Sequence, residues 1–84
     1  MTCSIYILPR AQKELALLPK ETYERVRDAI RTLGAVPRPP GCQKLTGREG
    51  WRVRVAPFRV IYEIDDKAQL VTVLHIGHRR DVYR

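Results

Sequence analysis

The stretch Trp51-Arg52-Val53-Arg54-Val55-Ala56-Pro57-Phe58-Arg59 holds three arginines at spacings that suit anion binding. In an extended chain, side chains alternate between faces with a period of two. Trp51, Val53 and Val55 then share one side, and Arg52 and Arg54 stand together on the other. Ala56-Pro57 breaks the run, because proline lacks the donor that a central strand needs. A second extended run follows, Phe58-Arg59-Val60-Ile61-Tyr62-Glu63-Ile64. If the two runs form a hairpin, Arg59 joins the other two. Three permanently charged, fork-shaped groups on a stiff sheet would hold a phosphodiester and stabilise extra negative charge in a transition state. Arg79 and Tyr83 near the C-terminus are candidates to complete the set, the tyrosine by stacking on a base or bonding to a reacting oxygen. The same spacing also fits a solvated face, or arginines paired with Glu63, Asp65 and Asp81. Spacing does not choose between these readings.

Other chemistries find less support. His75 falls inside an apolar strand pattern and is expected to be packed there, whereas His78 lies at that strand's end beside Arg79. No carboxylate or cysteine accompanies the two histidines at metal-ligand spacing, so no metal site is expected. Cys3 and Cys42 fit no C-x-x-C motif and are expected to be free thiols. No nucleophile elbow, phosphate-cradling glycine loop or paired-carboxylate motif occurs. Trp51 and Tyr62 are expected in the core rather than as stacking platforms.

The elements that must position the arginines follow from pattern and punctuation. Ser4 to Leu8 suits a first strand, rich in β-branched and aromatic residues. Pro9 ends it and suits the first turn of a helix, here Arg10 to Leu18 with Ala11, Leu15 and Leu18 at helical spacing. Pro19 stops that helix. A second helix runs from Lys20 to Leu33, with Tyr23, Val26, Ile30 and Leu33 along one stripe and a charged opposite face. Gly34 is expected to cap it. Val36 to Gly41, with three prolines, is a stiff loop. Gln43-Lys44-Leu45 suits a short strand, Thr46 to Gly50 a turn, and Leu70 to Ile76 a final strand, apolar on both faces and therefore central. Strand, helix, helix, then three or four strands is an α+β order. The antiparallel helix hairpin must cover one face of a small, mostly antiparallel sheet. The other face carries the arginines.

Residues 1–84 are expected to form one domain with a modest core. Its 16 Lys+Arg against 9 Asp+Glu give a net charge of +7. From Lys44 to Arg59 there are five basic residues and one acid, Glu49. That concentration points to an anionic partner, nucleic acid first and an acidic protein second. Lys44, Arg48, Arg80 and Arg84 are added as candidate RNA-binding residues. No apolar run approaches the roughly 20 residues that span a bilayer, and no signal peptide is visible, so a cytoplasmic location is expected.

In order along the chain, the segments AQKELALL (Ala11 to Leu18), Lys44-Leu45-Thr46-Gly47, Trp51 to Val55, Phe58 to Ile64 and Ile76 to Arg84 resemble the RelE/ParE superfamily of toxins from toxin–antitoxin modules, with the RelE branch the nearer. The resemblance covers nearly the whole chain. It implies a ribosome-dependent endoribonuclease that enters the ribosomal A site and cuts messenger RNA. The RNA's own 2′-hydroxyl would be the nucleophile, with no metal or other cofactor. By that resemblance Arg59 would hold the scissile phosphate, Arg79 would assist the leaving 5′-oxygen, Tyr83 would orient or stack the nucleotide, and Arg52 and Arg54 would bind the transition state. Some relatives carry lysine at the positions of Arg52 and Arg54. Arginine cannot serve as a base, so catalysis would lean on charge and positioning, or His78 or Tyr83 would take the proton. The resemblance also implies a small acidic antitoxin, similar to RelB, as partner. Two alternatives remain open at this point: a ParE-like inhibitor of DNA gyrase, and a basic RNA-binding module without chemistry.

Overall fold

A computed structural model describes residues 2–78. The element order is β1 (Ser4–Ile7), α1 (Pro9–Ala16), α2 (Lys20–Ala35), β2 (Gln43–Lys44), β3 (Trp51–Val55), β4 (Phe58–Asp65) and β5 (Leu70–His78). The five strands form one sheet in the order β1-β5-β4-β3-β2. Only β1 and β5 run parallel; the other neighbours are antiparallel. This is the α+β arrangement expected from the sequence, with the sheet extended to five strands by β2.

Both helices start at prolines for the expected reason, since a missing N–H costs nothing in a first turn. Pro9 opens α1, and Pro19 immediately precedes α2. The first helix ends at Ala16 rather than Leu18. The residue before a proline is pushed away from helical angles, so Leu18 leaves the helix and residues 17–19 make the joint. The apolar stripes of the two helices bury one face of the sheet. Ala11, Val26, Ile30 and Leu33 meet Val55, Val60, Tyr62, Val71, Val73 and Ile76 in a single cluster.

Gly34 departs from expectation. It does not cap α2 but lies within it, buried. Its carbonyl accepts the Cys3 N–H at 2.6 Å. A Cβ here would sit 3.2 Å from both the Cys3 carbonyl oxygen and Ile5 Cδ1. The glycine is therefore a point of close approach between α2 and the start of β1, and Val36 takes the C-terminal cap position.

The proline-rich loop after α2 is tied to the sheet from two sides. Tyr62 is fully buried in the sheet, and its hydroxyl donates to the Pro37 carbonyl at 2.8 Å. Burial holds that phenol protonated well above its ordinary range, with Cys42 adding to the effect. Arg38 grips Asp66 with two bonds, at 3.2 and 3.0 Å, and lies 5.1 Å from the Trp51 ring centre. The Arg38 bonds hold the Asp66 carboxyl below its usual pKa.

Two outcomes follow for stability. Gly34→Val overpacks the α2–β1 contact and should destabilise the fold by about 1–3 kcal/mol, read as a lower urea midpoint at unchanged slope. The Asp66 contribution should be fully present above its ordinary pKa of 3.8 and be lost as pH falls through the lower folded value. Asp66→Asn and the native chain should therefore differ slightly in thermal midpoint near neutral pH and converge in strong acid, the difference being small because the pair is exposed.

Candidate nucleic-acid interface

The β3–β4 pairing decides how the arginines meet. Arg54 is directly opposite Arg59, and Arg52 is opposite Ile61. Opposed residues in an antiparallel pair share a face, with Cβ atoms about 5 Å apart. Arg52, two residues before Arg54, shares that face too. The sheet thus builds two rows. One runs Arg54, Arg59, Gly77 across β3, β4 and β5; the next runs Gln43, Arg52, Ile61, His75 from β2 to β5. Gly77 contributes no side chain beside Arg59.

Like charges directly opposed across a ladder are unfavourable. Here a register that the apolar face enforces sets two arginines directly opposite one another. Val53 opposite Val60 and Val55 opposite Phe58 lie on that other face, and a slip of one residue would turn the whole row out of the core. Beneath the charged groups, Ile61 is only 3% exposed yet lies apart from the main core cluster. It gives the arginine face a patch of low-polarity footing, where charge–charge interactions are stronger than in bulk water.

Three depressions adjoin the arginines. One depression is lined by Arg54, Ala56, Pro57, Phe58 and Arg59. A second, sharing Arg54, includes Arg52, Gln43 and Gly41. A third, sharing Arg52 and Gln43, reaches Thr46 and Arg48. Linked through shared residues, they form a trough from Arg59 to Arg48. Acidic residues collect elsewhere: Glu49, Glu63, Asp65 and Asp66 line a separate cleft at the other end of the sheet. Asp65 accepts the Ala68 N–H at 3.0 Å. The carboxylate-bearing ion pairs on the described residues engage Arg10, Arg27, Arg38 and His75.

Arg52, Arg54 and Arg59 are brought to one face, and Arg48 lines the trough's far end. Lys44 is opposite Trp51 and so belongs to the other face; its ammonium lies 5.4 Å from the Trp51 ring centre. His78 is opposite Phe58, edge-on to that ring at 5.8 Å, again on the face away from the arginines. That position gives it no direct line to a phosphate held by Arg54 and Arg59. Arg79, Arg80, Tyr83 and Arg84 lie outside the described residues. Cys3 and Cys42 are free thiols.

Two participants were not singled out from sequence. Gln43 accepts a hydrogen bond from the Arg52 guanidinium through its Oε1, which orients that side chain. Its signal was the pairing of β2 with β3 across the Thr46–Gly50 turn, which places Gln43 opposite Arg52. The other is Glu14. Strand β1 pairs with β5 only from Leu70 to Val73, so the next part of β5 has no strand beyond it. The Glu14 carboxylate fills that role, accepting the Ile76 N–H at 2.9 Å and meeting His75 Nδ1 at 2.7 Å. It thereby fixes the part of β5 that runs into Gly77, beside Arg59. Nothing in the helix-face pattern of α1 distinguishes Glu14 from a solvated charge.

Comparison with known proteins bears on the identity of this scaffold. Residues 5–83 match the family profile described as ParE toxin of type II toxin–antitoxin system, parDE. Among solved structures, the chain is similar to one from the archaeal RelE–RelB complex of Pyrococcus horikoshii OT3, with 28% identity and a TM-score of 0.85 over 98% of this chain and 100% of that one. It is also similar to a chain of the RelBE2 toxin–antitoxin complex of Mycobacterium tuberculosis, with 22% identity and a TM-score of 0.83, covering 94% and 100%. The isolated E. coli RelE toxin has the same fold, with 23% identity and a TM-score of 0.79, covering 96% and 90%. No curated protein sequence matches significantly. Among the described residues no helix is long and apolar enough to cross a membrane. With a profile match across almost its whole length and this five-stranded scaffold, the chain belongs to the ParE toxin family of type II toxin–antitoxin systems, within the RelE/ParE superfamily.

Proposed function

We propose that this toxin is a ribosome-dependent endoribonuclease that cuts messenger RNA in the cytoplasm and so inhibits translation. The observation that carries the reading is the register pairing of Arg54 with Arg59, with Arg52 on the same face. Permanent cations set opposite one another on one face make a site for an anion, and a phosphodiester matches their planar forks.

The chemistry asked of the protein is modest. RNA carries its own nucleophile, the 2′-hydroxyl next to each phosphate. Attack by that oxygen on phosphorus builds a pentacovalent state with added negative charge, and expulsion of the 5′-oxygen leaves a cyclic phosphate. Arg59, half-buried at the centre of its row, holds the scissile phosphate. Arg54 and Arg52 neutralise the charge that develops. Preorganised cations of this kind act without reorganising during the reaction. Holding the 2′-oxygen in line with the leaving group contributes as much again. Arg79 and Tyr83 are assigned, from the sequence, to the leaving oxygen and to the nucleotide. Arg48, Arg80 and Arg84 follow the RNA backbone on either side. Lys44, with its ammonium near Trp51, also lines the far end of the trough and adds its charge there.

A second reading has its own support. The matching family profile is that of ParE toxins, and a ParE-like toxin would act by binding DNA gyrase without cutting RNA. The two readings separate in one assay: translating ribosomes with primer extension on the message, alongside gyrase–DNA cleavage complexes. A partner is also part of the proposal. The similar chains from Pyrococcus horikoshii and Mycobacterium tuberculosis were solved in complexes with RelB-type antitoxins, and a toxin of net charge +7 suits an acidic partner that associates quickly and shields the trough.

Arg59→Ala should lower message cleavage by at least about a hundredfold, the scale seen when one preorganised transition-state donor is removed. Arg54→Ala should cost less, and Arg52→Lys should retain cleavage because charge is kept. Normal cutting by Arg59→Ala would refute the scheme. Expressed alone, the toxin should arrest growth, and co-expression of the acidic antitoxin should restore it. Arrest that persists with the partner bound in a stoichiometric complex would show that the partner does not shield the active surface.

A further inference from the structure

The far end of the trough differs from the rest. There a depression of about 190 Å³ is lined by Gln43, Lys44, Leu45, Thr46, Arg48, Arg52 and Ile61. That is below the roughly 300–1,000 Å³ of sites for drug-sized ligands, a size suited to a single planar ring. Its base is apolar, from Ile61 and Leu45, and its rim is polar. The wall is already closed: the Leu45 N–H donates to the Gly50 carbonyl at 3.0 Å. Gly50, with a positive φ of 124°, leaves room for Leu45, whose Cδ1 lies 3.1 Å from where a Cβ on Gly50 would stand.

The polarity of the rim can be read from one contact. The Arg52 guanidinium bonds to Gln43. A guanidinium has only donors, so the amide must turn its oxygen towards it. The end of Gln43 left for a ligand is the NH₂ group, which only donates. Arg48 and Arg52 also only donate. Thr46 can do either. The rim is therefore rich in donors and poor in acceptors. Among nucleobases, uracil and guanine present a carbonyl oxygen where cytosine and adenine present an amino group.

We propose that this depression is a nucleobase subsite, one step along the RNA from the phosphate held by Arg59, and that it favours keto bases over amino bases. The proposal rests on the RNA-directed reading given above for the substrate class alone. Gln43 is its specificity-determining residue. The apolar base and the flanking guanidinium planes supply stacking surface, as is usual for unpaired bases on proteins.

The test is direct binding, without ribosomes. The full-length chain is titrated into fluorescently labelled oligouridine and oligocytidine of equal length, at two salt concentrations. The two probes carry equal charge and differ at this keto or amino position. The native chain should bind oligouridine about fivefold tighter, the size of one net hydrogen bond. Gln43→Met, similar in length but without a donor, should bring the two affinities together while the salt dependence from phosphate contacts persists. Equal affinities in the native chain, discrimination that survives Gln43→Met, or no binding of either probe would overturn the subsite. Discrimination without message cleavage on ribosomes would uphold the subsite and place the failure in the nuclease reading instead.

Discussion

The hairpin formed by β3 and β4 is the constraint on which the rest of the site depends. Its register answers to the apolar side of the strands, where Val53, Val55, Val60 and Tyr62 must face the helices. The charged side has no say in the matter. Arg54 is set opposite Arg59 because the valines behind them are buried. A binding surface made this way is organised before any ligand arrives. Little conformational freedom is lost when the phosphate binds, which is the condition under which fixed charges contribute most to a reaction.

The remaining structure serves to keep that hairpin from moving. On one side, Tyr62 runs through the sheet and ties the proline-rich loop down through Pro37. On the other, β5 outruns its parallel neighbour β1, and Glu14 takes over as the hydrogen-bonding edge. A carboxylate is well suited to this: one oxygen accepts the backbone N–H, and the other engages His75. The Glu14 contact links α1 to the strand that lies alongside Arg59. The helices are therefore more than a cover for the core. They set where β5 sits, and β5 flanks β4.

How far these features could be seen in the sequence depended on whether they were periodic. The arginine face follows from alternation alone, and the helix pair follows from apolar spacing between prolines. The turns at Ala56-Pro57 and Thr46–Gly50 follow from residue type. What escaped was contact between elements distant in the chain. Gly34 has the sequence signature of a helix cap, and only the approach of Cys3 and Ile5 shows why the helix continues through it. Lys44 counts as one more cation in a basic segment until the β2–β3 register turns it to Trp51. Gln43 and Glu14 carry no local pattern at all. His75 was expected to be packed, and it is, but its partner lies 61 residues earlier.

Charge is also sorted along the sheet, and the sorting has a kinetic consequence. Arg48, Arg52, Arg54 and Arg59 occupy one connected trough, while Glu49, Glu63, Asp65 and Asp66 line a cleft of their own. A molecule with net charge +7 distributed in this way has a direction as well as a sign. An approaching polyanion is drawn to the trough and repelled from the acidic end, so orientation begins before contact. Local charge in the trough is carried mostly by arginine, whose proton is never lost in the working range. Its attraction for a polyanion therefore does not fade as pH rises, as that of a lysine with a lowered pKa would. The exchange is that such a surface has no base to offer. In the proposed ribonuclease reaction, the transfer of the 2′-proton would be met by another group or by water, and the arginines would act on the phosphate alone.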